Sequence, residues 1–442
     1  MEEAYGEKAY GNTVNAGNTA IRRIAWRLLP LMFLAFAVNF IDRVNVSVAA
    51  LQMNRDLGFT ATAYGLGAGM LSIGYTLFQV PSNIMLARVG ARRWIAALMI
   101  VWGVIASSMM FVRGAASFYT LRFLLGAAEA GFFPGMMLYL TYWFPGAVRA
   151  RAVAAFMSAI PVAQAIGTLG SGLLLGLGGR GGLTGWQWLF LIEGVPAVVL
   201  GVAVFALLTD RPDQASWLPA DERAWLEDSL RRDGTTAAST GRPAVGPALR
   251  DSHVWGLGAI WAAINLVGFG QLYFLPQIIR GASHLSDITV ASLSTVPPLA
   301  AAVAMLVIAA HSDRTGERRR HLAGTLLTTA IGFAATAAVL RSPVLAAVAL
   351  SFVAIGIAGA FGPFWGLATA SFTGSAAAGS IALISSIGQV GAPVGSWLVG
   401  YVRDATGSFA AALLSFAALA AIVALLARLT PAASTAGSAT AR

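Results

Sequence analysis

The sequence predicts an all-α polytopic membrane protein, with twelve transmembrane helices in two six-helix bundles. Three observations carry that expectation. Of 442 residues, 57% are hydrophobic and only 11% charged, far from the roughly 25% charged residues of a soluble domain, and the mean hydropathy is +0.72. Apolar runs of about 18 residues or more, enough for a helix to cross a bilayer, recur roughly twelve times. One loop sequence also occurs twice, at equivalent points of the two halves.

In chain order the spans are expected at 26–50, 61–86, 94–112, 117–144, 152–177, 187–208, 254–279, 288–310, 322–340, 343–372, 378–402 and 408–429. The first twenty residues carry Glu2, Glu3, Glu7 and Lys8 and no apolar core, so the first span reads as retained rather than as a cleaved signal peptide. Loops sharing the N-terminal side hold Arg22, Arg23, Arg88, Arg92, Arg93, Arg149, Arg151 and the cluster Arg314, Arg318, Arg319, Arg320. The opposite side has isolated arginines only: Arg55, Arg113, Arg180, Arg280, Arg341 and Arg403. The positive-inside rule then puts both termini in the cytoplasm, with the chain in the inner (plasma) membrane.

Residues 209–252 break the apolar pattern with Asp221-Glu222-Arg223, Arg231-Arg232-Asp233 and a run of Gly, Thr, Ser and Pro. They read as a polar connector, with a short amphipathic helix around Trp217 to Leu230. The organisation expected is an N-terminal cytoplasmic segment (1–25), a first bundle (26–208), the connector (209–252), a second bundle (253–429) and a cytoplasmic tail (430–442), acting as a monomer in the lipid bilayer.

Several functions are excluded by what the chain lacks. It has no cysteine, so neither a disulfide framework nor a thiolate metal site is expected. His253, His284, His311 and His321 lie at or beside span ends without metal-ligand spacing, so no metal is expected. No Walker-type loop is present to couple nucleotide hydrolysis; no cofactor and no enzymatic activity are expected. The formal charge of +10 comes from loop arginines rather than one basic face with interleaved aromatics, which argues against nucleic acid. The 49 glycines suit helices that must approach closely in lipid.

The halves repeat. Ala87-Arg88-Val89-Gly90-Ala91-Arg92-Arg93 follows the second span and Asp313-Arg314-Thr315-Gly316-Glu317-Arg318-Arg319 follows the eighth. Arg314, Gly316, Arg318 and Arg319 stand at one constant offset from Arg88, Gly90, Arg92 and Arg93, which indicates duplication. The glycine permits a tight turn, and the arginines can cap helix ends and bridge neighbouring helices. Their role as positive-inside determinants accounts for the arginines but not for the glycine.

The charges are not duplicated. Placing Phe123 on Phe352 and Pro134 on Pro363 sets Arg122 against Ser351 and Glu129 against Ala358. The ionisable residues at bilayer depth are Asp42, Arg43, Arg122, Glu129 and Glu193, all in the first half. Each costs at least about 2.5 to 3.5 kcal/mol on insertion scales, and such residues mark ion or substrate paths. A purely structural ion-pair network is the alternative for Asp42, Arg43 and Arg122, and Glu193, beside Gly194 and Pro196, reads as structural. Arg122 and Glu129, seven apart, share one helix face about two turns from each other. Asp42 and Arg43 point roughly 100° apart, so one can face the fourth span and the other the cavity.

Asp313-Arg314-Thr315-Gly316-Glu317-Arg318-Arg319 resembles the loop signature of the major facilitator superfamily. Asn39-Phe40-Ile41-Asp42-Arg43-Val44-Asn45-Val46, Pro81-Ser82-Asn83, Gly90-Ala91-Arg92-Arg93-Trp94, the stretch from Arg122 to Gly135, Trp143-Phe144-Pro145 and Glu193-Gly194-Val195-Pro196 are similar to its anion:cation symporter family. In the eleventh span the chain departs from that pattern, with Ser385 and Gln389 where the family commonly has asparagine. The resemblance implies two six-helix bundles around a central cavity, with small organic anions carried alongside protons. It also implies that the first-span arginine takes the anion while acids of the first and fourth spans take protons.

On this reading Asp42 pairs with Arg122, and Arg43 presents its planar fork to a substrate carboxylate. Asp42, Glu129 and Arg122 carry proton coupling. Asn39, Tyr75 and Gln164 in the first half, with Trp365, Thr369, Ser385 and Gln389 in the second, are the candidate substrate residues. Gln79, Asn265, Gln271 and Tyr273 are further polar groups available to the cavity. The resemblance implies that Tyr75 and Gln164 line the substrate site. The function expected is proton-coupled import of a small organic anion, such as a sugar acid or other carboxylate. An anion exchanger or exporter of the same superfamily is the alternative.

Overall fold

The computed structural model describes residues 2–233, 245–281, 283–372 and 374–429. The Gly-, Thr- and Ser-rich part of the connector at 234–244 and the expected tail at 430–442 lie outside the described residues. α1 (Glu2–Asp56), α2 (Ala61–Val89) and α3 (Ala91–Ser108) are the first three spans. The fourth is a pair, α4 (Ala115–Glu129) and α5 (Phe132–Trp143), as is the fifth, α6 (Gly146–Met157) and α7 (Ala159–Leu175); α8 (Gly185–Leu207) is the sixth. The connector supplies α9 (Ala220–Arg232) and α10 (Val245–Arg250). α11 (Ser252–Arg280) is the seventh span, α12 (Asp287–Ser294) with α13 (Val296–Thr315) the eighth, and α14 (Arg318–Ala338) and α15 (Pro343–Ala370) the ninth and tenth. α16 (Gly374–Gln389) with α17 (Gly391–Thr406) forms the eleventh and α18 (Phe409–Leu429) the twelfth. Among the described residues, 11 spans are long and apolar enough to cross a membrane by length and composition. The twelfth, α2, has the length at 29 residues, but Ser72, Tyr75, Thr76, Gln79, Ser82 and Asn83 lower its hydropathy.

Spans four, five, eight and eleven are broken where the sequence suggested single helices, each just ahead of a proline, although Pro30, Pro81, Pro196, Pro276 and Pro363 sit inside continuous helices. A proline has no N–H for the carbonyl four residues back, and its ring presses on that carbonyl. Pro134, Pro161, Pro298 and Pro393 stand four or five residues beyond Glu129, Met157, Ser294 and Gln389, where α4, α6, α12 and α16 stop.

Helix starts follow local chemistry. Thr60 accepts from Ala63 N–H ahead of α2, Ser286 from Thr289 N–H ahead of α12, and Thr184 with Gln187 closes a capping box on α8, each satisfying donors that the first turn leaves open. The repeated loops end α2 and α13 alike. Gly90 (φ +93°) and Gly316 (φ +67°) take positive φ as C-caps, a region costly for any side chain. The arginine two residues on then reaches a neighbouring span: Arg92 Nε donates to Phe205 O of the sixth at 2.5 Å, and Arg318 to Gly366 O of the tenth. Arg88, Arg93, Asp313 and Arg314 are exposed.

Three apolar cores organise the molecule. One, from Ile24 and Leu28 through Trp102, Trp143 and Phe156 to Leu230, lies within the first six spans and α9. A second, from Val254 through Trp261 and Phe364 to Ala427, lies within the last six and α10. The third contains Val48, Met53, Tyr64 and Phe190 together with Phe274, Val290, Leu350 and Phe416, so both halves share it. Its members sit at the span ends away from the termini. The halves are therefore fused at that face and keep separate cores towards the terminal face. Backbones meet closely there and within each half: a Cβ on Gly126 would overlap the carbonyl of Leu71, one on Gly395 that of Leu266, and one on Gly400 that of Ala61.

Candidate substrate and proton site

The deep charges of the first half gather where α1 passes the junction of α4 and α5. Arg43 Nε donates to Glu129 Oε2 at 3.0 Å, and the Arg43 guanidinium lies 4.7 Å from the Tyr75 ring centroid. The Glu129 side chain is fully buried, whereas Arg43 keeps 18% of its surface. Asn39, one turn before Arg43, is buried with its amide nitrogen unpartnered.

No ion pair among the described residues joins Asp42 to Arg122, and this corrects the pairing expected from the sequence. Arg122 instead donates to Ala68 O at 3.3 Å and lies 5.7 Å from the ring of Tyr273, in the other half. The reason is vertical register. α1 and α4 run in opposite directions, so the residue level with Arg43 is Glu129, and Arg122 lies about 10 Å further towards the fused face, at 1.5 Å per residue. The roughly 100° between Asp42 and Arg43 is kept. Arg43 faces Glu129 of the fourth span and Tyr75 of the second, while Asp42 turns to Asn45, whose amide lies 3.5 Å from its Oδ1.

Glu193, read as structural, belongs to this cluster. Ser171 Oγ donates to its Oε1 at 2.7 Å and its Oε2 is buried without a partner. Asp42 Oδ2, Asn45 Oδ1, Trp102 Nε1, Arg122 Nε and Glu129 Oε1 are likewise buried and unpartnered. These groups face one another short of full hydrogen-bond geometry, Trp102 beside Asp42, Asn39 beside Glu129 and Asn45 beside Glu193, and a buried polar cluster of this kind calls for a functional explanation. Asn45 was findable, since three residues from Asp42 places it on the same helix face. Nothing in the sequence singles out Trp102.

The second half contributes less than the sequence suggested. Trp365 packs 5.1 Å from Trp261 by ring centroids, and Thr369, exposed, returns its hydroxyl to Trp365 O at 2.7 Å. Ser385, Gln389 and Gln164 are partly exposed. Among the described residues no hydrogen bond, ion pair or ring contact joins any of them to Arg43, Tyr75 or Glu129. Asn265 and Gln271 spend their amides on Trp261 O and Leu350 O. His311 and His321, both beside span ends, meet with ring nitrogens 2.7 Å apart at the terminal face.

Two six-span halves fused at one face, with a buried acid–guanidinium cluster inside the first of them, are the architecture of a membrane transporter. The chain belongs to the Major Facilitator Superfamily, whose profile matches residues 32–395, and transporters of that superfamily are not enzymes. It is 45% identical over 406 residues to a protein of Agrobacterium vitis provisionally assigned as a tartrate transporter, covering 92% of this chain and 90% of that one. It is 38% identical to a quinolone resistance transporter of Acinetobacter baumannii, over 89% and 90% of the two chains. Its fold matches, with a TM-score of 0.78 at 17% identity over 92% and 97% of the chains, a crystal structure of a bacterial homologue of the human lysosomal transporter Spinster, described as inward-facing and unoccupied.

Proposed function

We propose that this protein imports a small organic anion together with protons, by alternating access, and that a hydroxydicarboxylate such as tartrate is the class of substrate. The observation that carries the reading is the Arg43–Glu129 pair, one partner sealed and the other still partly exposed. A substrate carboxylate competes with Glu129 for the Arg43 fork, because a guanidinium matches either bidentately. Protonating Glu129 releases the fork, so proton uptake and anion binding favour each other. Charge counting supports the coupling. Among the described residues the cluster holds three acids, Asp42, Glu129 and Glu193, against two guanidiniums, Arg43 and Arg122, so one bound proton brings it to neutrality. Import of an anion against a negative interior costs about 2.3 kcal/mol per charge per 100 mV, which co-moving protons offset. Both termini are then cytoplasmic, in the inner membrane, and the separate cores face the cytoplasm.

The test is ligand-dependent thermal stabilisation of the purified protein across a panel of carboxylates, followed by uptake into proteoliposomes under an imposed pH gradient. Tartrate should raise the melting temperature of the wild type more than monocarboxylates do, and an inward proton gradient alone should drive its accumulation. Indifference to the gradient would leave exchange in place of symport. The Acinetobacter relative favours a second reading, export of a carboxylate-bearing drug; stabilisation by quinolones and not by tartrate would select it.

A further inference from the structure

At the fused face, distant from Arg43, a cavity of about 240 Å³ opens between the halves. Its walls include Asn54 and Arg55 from the end of α1, Gln277 and Arg280 from the end of α11, and Arg403 from α17. Three guanidiniums therefore line one pocket, and no carboxylate does. Each arginine is paired with an aspartate, Arg55 with Asp56 and Arg403 with Asp404 at 3.5 Å and Arg280 with Asp287, but a guanidinium has five N–H donors and each of these acids is shared with other donors. Asp404 accepts from Ala61 N–H, Thr62 N–H and Thr62 Oγ1, Asp287 from Gln52 Nε2 as well as Arg280, and Asp56 from Trp186 Nε1. The walls also hold buried polar atoms without partners: Arg280 Nε, Gln277 Nε2 and Asn54 Oδ1, although Asn54 and Gln277 bond each other across the halves at 3.3 Å through their other amide atoms. Two of these three are donors, beside guanidiniums whose remaining N–H groups face the same space.

We infer that this cavity is a second anion site, which takes a small carboxylate at the sealed mouth through Arg280, Gln277 and the flanking arginines. Its walls come from both halves, so it exists only while this face is closed. An anion bound here staples the halves and holds that state, and high anion concentration on this side slows turnover.

The experiment is a tartrate titration of full-length purified protein by thermal unfolding in four forms: wild type, Arg43→Ala, Arg280→Gln and the double variant. The expected result is a residual rise in melting temperature in Arg43→Ala that disappears in the double variant. Arg280→Gln should also lose inhibition of uptake at high external tartrate while uptake at low concentration is unchanged. Loss of the entire response in Arg43→Ala alone would overturn the second site and leave the central one standing. A response kept in Arg43→Ala and abolished by Arg280→Gln would support the second site and sink the central assignment, and no response in wild type would sink both. If Arg280→Gln fails to fold, Gln277→Ala carries the same expectations.

Discussion

The carboxylate of Asp404, near the end of α17, caps the first turn of α2 in the other half: its oxygens accept from Ala61 N–H at 3.1 Å and Thr62 N–H at 2.7 Å. Those N–H groups have no partner in their own helix, and the positive end of the helix favours the charge. With Tyr64 donating to Tyr273 O at 2.8 Å and Gln52 to Asp287 at 2.6 Å, the fused face is closed by polar contacts laid over a shared apolar core.

Asp404→Ala should therefore open that face. Loss of a charged cap and its hydrogen bonds removes about 2 kcal/mol from the closed state, roughly a 30-fold change in the ratio of states. The chain has no cysteine, so a single Ala50→Cys, buried in the shared core, reports the change without background. An impermeant maleimide applied to this face should label it faster in the Asp404→Ala background. Equal rates would show that the cap contributes nothing to closure.

Glu129→Gln and Asp42→Asn should separate coupling from binding. Both are expected to reduce proton-driven accumulation to simple equilibration while sparing counterflow of the anion. They should differ in stability. Glu129→Gln strips Arg43 of its carboxylate and should cost about 1–3 kcal/mol, whereas Asp42 has no guanidinium partner and its neutral isostere should cost little. Melting temperatures of the two variants, measured side by side, decide this.

What the sequence made legible is what depends on neighbours along the chain. Hydropathy marks the spans, the turn glycines Gly90 and Gly316 announce positive φ, and the offset between halves places both loops. The breaks ahead of Pro134, Pro161, Pro298 and Pro393 were not readable from proline alone, because Pro81, Pro196, Pro276 and Pro363 lie inside unbroken helices. The partner of Arg43 was not legible, because it depends on how far α4 is slid along α1, which no local pattern records. Trp102 and Ser171 enter the site for the same reason, brought in by packing from spans three and five. Glu193 was visible as a buried acid; only its neighbours distinguish it from a helix-end residue.

Gly90→Ala and Gly316→Ala should not be equivalent, although their loops are duplicates. Both force a side chain into positive φ, at about 1 kcal/mol. At Gly316 an added Cβ meets nothing, whereas at Gly90 it would come within 3.2 Å of the Asp210 carboxylate, which accepts from Arg92 N–H at 2.7 Å. The Gly90 variant should lower the melting temperature more, and Asp210→Ala should narrow the difference.

Glycines at close helix crossings give the last contrast, because some crossings lie within a half and others lie between halves. Gly126 packs against the Leu71 carbonyl where spans two and four of the first half cross, and Gly400 packs against the Ala61 carbonyl where span eleven crosses span two of the other half. An added methyl must push backbone from backbone in both cases. Within a half there is no alternative state to relieve the clash, so Gly126→Ala should cost about 1–3 kcal/mol as overpacking and appear as poor expression and a lowered melting temperature. Between halves the clash is relieved by opening the fused face. Gly400→Ala should therefore fold normally and resemble Asp404→Ala in labelling of Ala50→Cys. A lowered melting temperature without faster labelling in Gly400→Ala would mean that the two halves do not part along the crossing of spans two and eleven.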